Sequence, residues 1–394
     1  MGFWENIFIT TKAKLLEGLS GSAPQWLIAL LSNIITIASI ILLFSLLFGI
    51  VTVIERKLLG RMQNRFGPNR VGPYGFLQFV ADGIKALTKE DIVPARADKI
   101  VHFLAPIIIV VPALLNFAVI PFGKNMVAFD MSNGLLFFFA IGAATELAVF
   151  MAGWSSRNKY SLLGAMRAIA QMLSYEIPLI VSASAVIMFT GTLSFSKIAE
   201  AQSGYSAGFI PNWNILTPWG IASFIIFMIA TTAELNRSPF DLPEGESEIV
   251  AGYYIEYSGF KFALFFLGEY FAMFAISGVT ITLFLGGWNA PLPFLEFLPS
   301  WFWFFSKLFL MIFLFIWLRA TLPRLRIDQL MNFSWKFLIP ASFVTLLSVA
   351  LWRYLNGGVI GWLICSFIVA IPYLIFNKKM RSYTNEVYYR QNPN

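Results

Sequence analysis

Nine stretches of this chain are apolar over lengths that only a bilayer readily accommodates: about 26–54, 100–121, 134–154, 162–190, 217–236, 261–287, 301–322, 337–355 and 359–376. Crossing the hydrocarbon of a bilayer takes about 20 helical residues. Inside it each backbone N–H and C=O must be satisfied within its own element, which leaves helices as the economical solution for runs of this length. Composition agrees. Charged residues make up 12% of the 394, against about 25% in an ordinary soluble domain, and the mean hydropathy is +0.72. The fold class is therefore an all-α polytopic membrane protein with eight to nine transmembrane helices, forming one integral membrane domain over 1–394. The last two stretches decide between eight and nine: Arg353 stands near the end of one, and the other is short and follows directly after Asn356-Gly357-Gly358.

The net charge of +7 does not point to nucleic acid, because the basic residues lie between the apolar runs and form no basic, aromatic-interleaved domain. If segment 55–99 faces the cytoplasm and every stretch crosses, 22 of the 28 Lys and Arg fall on that side. Lys12, Lys14, Lys124, Lys197, Lys307 and Arg353 fall on the other. This asymmetry fixes the orientation, with the main charged loops cytoplasmic. It also favours a real ninth span, since Lys378, Lys379 and Arg381 then lie inside. One cysteine, Cys365, excludes a disulfide framework and a cysteine-ligated cluster within the chain. The single histidine, His102, reads as an interfacial residue. The first 25 residues lack a short apolar core followed by a cleavage site, so no cleaved signal peptide is expected. No phosphate loop, dinucleotide fingerprint, catalytic triad or metal-spaced ligand set is found.

Within loop 55–99, Phe76, Phe79, Val80, Ile84 and Leu87 recur at helical spacing while Asp82, Lys85 and Lys89 share another face. The pattern predicts an amphipathic helix lying in the membrane interface, set at its angle by turns at Gly67-Pro68-Asn69 and Gly72-Pro73.

Three groups of residues could carry chemistry. At the end of the first span Glu55, Arg56 and Lys57 continue to Arg61 and Arg65. They read either as a positive-inside anchor or as a charged mouth, with Arg56 and Arg65 on the same side as Asp82, Lys85 and Glu90. In the third and fourth spans lie Glu146, Arg167, Tyr175 and Glu176, and Pro178 is expected to kink the helix and free carbonyls for water or a proton carrier. Between Glu234 and Glu269 the chain gathers seven of its 21 acidic side chains: Glu234, Asp241, Glu244, Glu246, Glu248, Glu256 and Glu269. Carboxylates at membrane depth are costly unless protonated, paired or wetted, so such a cluster points to moving protons or cations or gripping a polar ligand. Arg237 stands three residues after Glu234 and could meet it on one helix face. The alternation of Glu244, Glu246 and Glu248 in an extended segment would point all three one way. Phe240, Tyr253, Tyr254, Tyr257 and Phe260 indicate that this acidic loop, 236–261, is packed rather than solvated.

At these residues the sequence closely resembles a known family. The run Glu55-Arg-Lys-Leu-Leu-Gly-Arg-Met-Gln-Asn-Arg-Phe-Gly-Pro-Asn-Arg-Val-Gly-Pro-Tyr-Gly continues to Ala81-Asp82-Gly-Ile-Lys85 and Thr88-Lys-Glu90. A second run is Ala233-Glu234-Leu-Asn-Arg237-Ser-Pro-Phe-Asp241-Leu-Pro-Glu244-Gly-Glu246-Ser-Glu248, followed by Tyr254-Ile-Glu256-Tyr. Both resemble the family of membrane-arm subunit 1 (the H subunit) of respiratory complex I, the proton-translocating NADH:quinone oxidoreductase, and the likeness runs from about 26 to 355. The resemblance implies a subunit at the junction of the hydrophilic and membrane arms, forming the entrance and much of the tunnel for a quinone (ubiquinone or menaquinone) that is the substrate. It assigns Glu55, Arg56, Arg65, Asp82, Lys85, Glu90, Arg237, Asp241, Glu244, Glu246 and Glu248 to the tunnel and its entrance. To a proton path it assigns Glu146, Glu176, Glu234, Glu256 and Glu269, with Tyr175 and Arg167 as polar neighbours. It implies no flavin or iron–sulfur cluster bound by this chain. The partners implied are the cluster- and quinone-site-bearing hydrophilic arm, neighbouring membrane-arm subunits and lipid. The family is described with eight spans, so 356–394, with its ninth, is an addition. Two other readings stay open from the residues: the related membrane subunit of a hydrogenase-type complex, and a stand-alone proton or cation transporter, for which paired repeats with broken helices would be expected and no repeat is seen.

Overall fold

The computed structural model describes residues 5–20, 24–206, 208–242 and 250–391. The acidic residues Glu244, Glu246 and Glu248 lie outside them. Among the described residues eight helices are long and apolar enough to cross a membrane, and a ninth apolar helix has 17 residues. After a short helix α1 (Ile7–Ser20) come α2 (Gln25–Met62), α3 (Gln78–Thr88) and α4 (Lys99–Asn116). The third span is two helices, α5 (Gly134–Gly142) and α6 (Ala144–Ser155), followed by α7 (Lys159–Thr190) and the short α8 (Phe195–Ala201). A two-residue antiparallel pair, Tyr205–Ser206 with Ile210–Pro211, leads to α9 (Pro218–Glu234) and α10 (Gly259–Phe284). The chain ends in α11 (Ser300–Thr321), α12 (Ile327–Phe333), α13 (Ile339–Tyr354) and α14 (Gly358–Gln391). A π-helical turn at Ser334–Leu338 joins α12 to α13 into one span.

Helix α7 packs against α6, α9 and α13, and α4 against α6 and α10. The core of the bundle is aromatic, with Phe44 stacked on Phe117 at 3.8 Å and Trp219, Phe227, Phe274 and Phe284 fully buried. The apolar faces of the outer helices are open, as a lipid-facing surface requires.

The predicted amphipathic helix is present as α3. It has no buried residue; Val80, Ile84 and Leu87 are exposed along it, as is Phe76 just before it. It seats on α2 where Gly49 lacks a side chain, since a Cβ there would lie 2.5 Å from the Phe79 ring. The loop before it begins later than the sequence suggested, because α2 runs on through Glu55 to Met62.

Two local expectations change. Helix α7 passes through Pro178 unbroken, and the carbonyl that proline leaves without an N–H, that of Ser174, accepts from Ser334 Oγ at 2.7 Å. It is therefore not open to water. His102 is fully buried rather than interfacial, its ring stacked on Tyr257 at 4.0 Å. The lone Lys307 is also buried, because its ammonium donates to the carbonyls of Leu285, Gly287 and Asn289 at 2.6–2.9 Å, closing the C-terminal end of α10. The break between α5 and α6 at Ala143 falls beside Thr145 and Glu146.

Candidate functional site: a buried charge cluster beside a carboxylate cavity

The last turns of α2 leave the apolar run while still packed inside the bundle, and this puts Glu55 where the sequence does not suggest it. It is not part of an exposed mouth but is 2% exposed. A carboxylate taken from water at that depth needs charge partners and hydrogen bonds, and three side chains supply them. Arg319 Nη1, from the end of α11, donates at 2.6 Å. Arg237 approaches with both terminal nitrogens at 3.3 Å. The Tyr270 hydroxyl, from α10, donates at 2.6 Å. The Arg237 guanidinium also lies over the Tyr270 ring, 4.8 Å from its centroid. Burial works against the charge of Arg237, but Glu55, Tyr270 and Glu269 together more than offset it, and the pKa of Arg237 is raised.

Arg237 therefore does not pair with Glu234 across a helical turn. Helix α9 stops at Glu234, and Asn236 takes a left-handed φ of 49° that turns the chain back, so the two side chains leave in different directions. The short length of α9, about 25 Å at 1.5 Å per residue, ends it within the bundle.

At the surface of the same end, Arg56 pairs with Asp82 of α3 at 2.6 Å, and Gln78 donates to the same carboxylate. Arg56 and Arg65 line one crevice with Phe66 and Pro68. Lys85 and Glu90 are exposed on α3 and just beyond it. The Glu90 carbonyl accepts from Ser258 Oγ, fastening that end of the loop to the start of α10.

The second centre lies deeper. A cavity of about 80 Å³, large and polar enough to take several waters, is lined by Glu176, Glu234, Glu269, Asn116, Thr145 and Asn236 between apolar walls. Glu146 stands beside it, close enough to Glu176 and Glu234 for their charges to act on one another. Oxygens of Glu146, Glu234 and Asn116 are buried there with no hydrogen-bond partner among the described residues. Glu269 accepts from the Tyr254 hydroxyl, which in turn accepts from Tyr253 at 2.6 Å.

Not every residue of the expected path is here. Tyr175 is fully buried but points away, its hydroxyl donating to the Leu330 carbonyl at 3.0 Å. Arg167 sits one turn before Gln171 on α7, half-buried and outside the cavity wall. Glu256 accepts from Asn158 Nδ2 at 2.7 Å, at the start of α7. Asp241 is half-buried at the start of the acidic loop. The packed aromatic character holds for Phe240, Tyr253, Tyr254 and Tyr257, all buried, whereas Phe260 is exposed. At the loop's far end, Gly164 and Gly252 let two backbones meet, since a Cβ on Gly164 would lie 2.6 Å from the Gly252 Cα.

Sequence reasoning missed Arg319 and Gln171. Arg319 was visible only as one of several basic residues near the end of a span. Gln171 carries no charge and gave no signal at all. Among the described residues no group of three or more His, Cys, Asp and Glu side chains is arranged to hold a metal ion.

The two centres touch through neighbouring residues. On α10, Glu269 faces the cavity and Tyr270 faces Glu55; across the end of α9, Glu234 faces the cavity and Arg237 faces Glu55.

Comparison with known proteins places this arrangement in context. The profile of a family described as NADH dehydrogenase matches residues 35–350. The chain is similar to the H subunit of the NADH-quinone oxidoreductase of Dehalococcoides mccartyi (strain CBDB1), 51% identical over 312 residues, covering 77% of this chain and 84% of that one. It is similar to the corresponding H subunit of Brevibacillus brevis, 46% identical over 347 residues and 87% and 99% of the two chains. For the H subunit of Bacillus cytotoxicus the identity is 49% over 344 residues, 86% and 98% of the two.

Proposed function

The chain belongs to the NADH dehydrogenase family, as the H subunit of an NADH-quinone oxidoreductase, and from that premise we propose that its charge cluster and its carboxylate cavity are the two ends of one coupling device. The observation that carries this reading is the adjacency of Glu269 with Tyr270 and of Glu234 with Arg237, each pair divided between the two centres.

The substrate is a quinone. Its headgroup enters past Arg56, Arg65, Asp82, Lys85 and Glu90, where an isoprenoid tail can stay against the apolar face of α3. Within the tunnel it meets Glu55, Arg237 and Arg319, and the acidic residues Asp241, Glu244, Glu246 and Glu248 serve the same passage. Two guanidiniums, those of Arg237 and Arg319, converge in this cluster. It therefore favours charge gained by the headgroup during reduction, in a setting where water screens little. Any change in that balance acts on Arg237 and Tyr270. Their chain neighbours Glu234 and Glu269 then change proton affinity, and Glu176 and Glu146 follow because close carboxylates titrate as a set. Glu256, Arg167 and Tyr175 flank this path. The function is thus to admit quinone and pass the consequence of its reduction to proton translocation.

The same reading places the protein in a bacterial cytoplasmic membrane, with α3 and the acidic loop toward the cytoplasm. Its partners there are the hydrophilic arm that delivers electrons, the neighbouring membrane-arm subunits and lipid. It leaves the flavin and iron–sulfur chemistry to those partners and takes no nucleic acid.

The test uses the assembled complex in membranes. Replacing Arg319 by Met is expected to raise the KM for a short-chain quinone about tenfold, the loss of one charge-assisted hydrogen bond of about 1.5 kcal/mol. NADH oxidation by an artificial acceptor should not change. An unchanged quinone KM would remove the cluster from the quinone's route.

A further inference from the structure

We propose that Gln171 is the positioning residue that ties the acidic loop to the carboxylate cavity, so that motion of one is transmitted to the other. This deepens the coupling reading given above and rests on it.

Gln171 is fully buried on α7, between Arg167 and Glu176. Its amide nitrogen donates to the Ala233 carbonyl at 2.8 Å and to the Phe240 carbonyl at 2.7 Å, with Asn236 Oδ1 at 3.1 Å as a third acceptor. Two of these acceptors are backbone carbonyls, which can only accept, so the nitrogen must be the end that faces them. One side chain therefore holds both ends of the segment that leaves α9. Ala233 precedes Glu234, which lines the cavity; Phe240 precedes Asp241, where the acidic loop starts. Arg237, bonded to Glu55, lies between them.

Two N–H groups serve three acceptors, so the turn has more than one way of being satisfied. A pull on Phe240 from the loop can be met by a shift of the amide toward Asn236, itself a wall of the cavity. The Gln171 Oε1 atom is buried with no hydrogen-bond partner among the described residues, so no bond on that side has to break for such a shift. Phe240 also packs on Tyr175 at 5.3 Å, so the same movement is registered on α7 one turn from Gln171 and next to Glu176. Glutamate could not do this: its carboxylate has no donor for two carbonyls. An apolar isostere would leave both carbonyls unpaired.

The experiment compares Gln171→Glu, Gln171→Met and Glu234→Gln in the full complex in sealed vesicles, reading complex abundance, quinone reductase rate, quinone KM and protons translocated per electron. Both Gln171 variants are expected to assemble and to keep the quinone KM within about twofold, while translocating at most about half the protons per electron. A purely structural role would not produce this split. Wild-type translocation per electron in both Gln171 variants, with Glu234→Gln impaired, would overturn the role of Gln171 and leave the coupling path standing. Wild-type translocation in Glu234→Gln would instead overturn the path itself. Failure of both Gln171 variants to accumulate would also overturn the proposal, since Gln171 would then serve folding alone.

Discussion

At Glu55 two arginines and a tyrosine converge on a carboxylate that water does not reach. Removing one member of a buried charged group costs about 3–5 kcal/mol, chiefly because the others stay buried without compensation. Replacing Glu55 by Gln should therefore lower complex abundance and thermal stability, and adding Arg237→Gln to it should restore part of both. Measured melting temperatures of the two purified complexes check this; equal destabilisation by the single and double changes would count against the cluster. The sequence did not show this cluster as such. Glu55 stands in a charged string that reads as an anchor, and its burial follows from α2 continuing to Met62, which composition does not mark. Glu146, Glu176 and Glu234 were legible because an acid within an apolar run stands out. Their proximity was not, since it depends on how α6, α7 and α9 pack.

At the scale of the helix, the Ser174 carbonyl shows how a local break is contained. Pro178 removes its usual donor, and Ser334, in the π-helical turn between α12 and α13, replaces it. Substituting Ser334 by Ala leaves a buried carbonyl unpaired at a cost of about 1–3 kcal/mol. The expected result is a lower melting temperature of the complex with the quinone KM unchanged; an unaltered melting temperature would mean that another donor takes over. Periodicity revealed α3 and apolar length revealed the spans, because both signals are local. The end of α9 was not readable in the same way: Glu234 and Arg237 are spaced to meet on a helix, and the left-handed Asn236 between them prevents it.

At the scale of the molecule, the nine apolar stretches correspond, among the described residues, to eight long spans and one short helix, and the added α14 lies beyond the residues that the family profile matches. It rests on α13 and α9 while most of its apolar surface stays open. Lipid is about as apolar as the helix it would replace, so its loss should cost little. Ending the chain after Leu355 is expected to leave assembly and quinone reductase activity within about twofold of wild type, read from complex abundance and turnover in membranes. The central claim is that quinone chemistry at the Glu55 cluster changes the protonation of the carboxylate cavity. Infrared difference spectra of the complex, recorded on reducing its quinone, test it most directly. A carboxyl signal should appear on reduction in wild type and lose a distinct component in both Glu234→Gln and Glu176→Gln, whereas an identical carboxyl signal in all three proteins would contradict it.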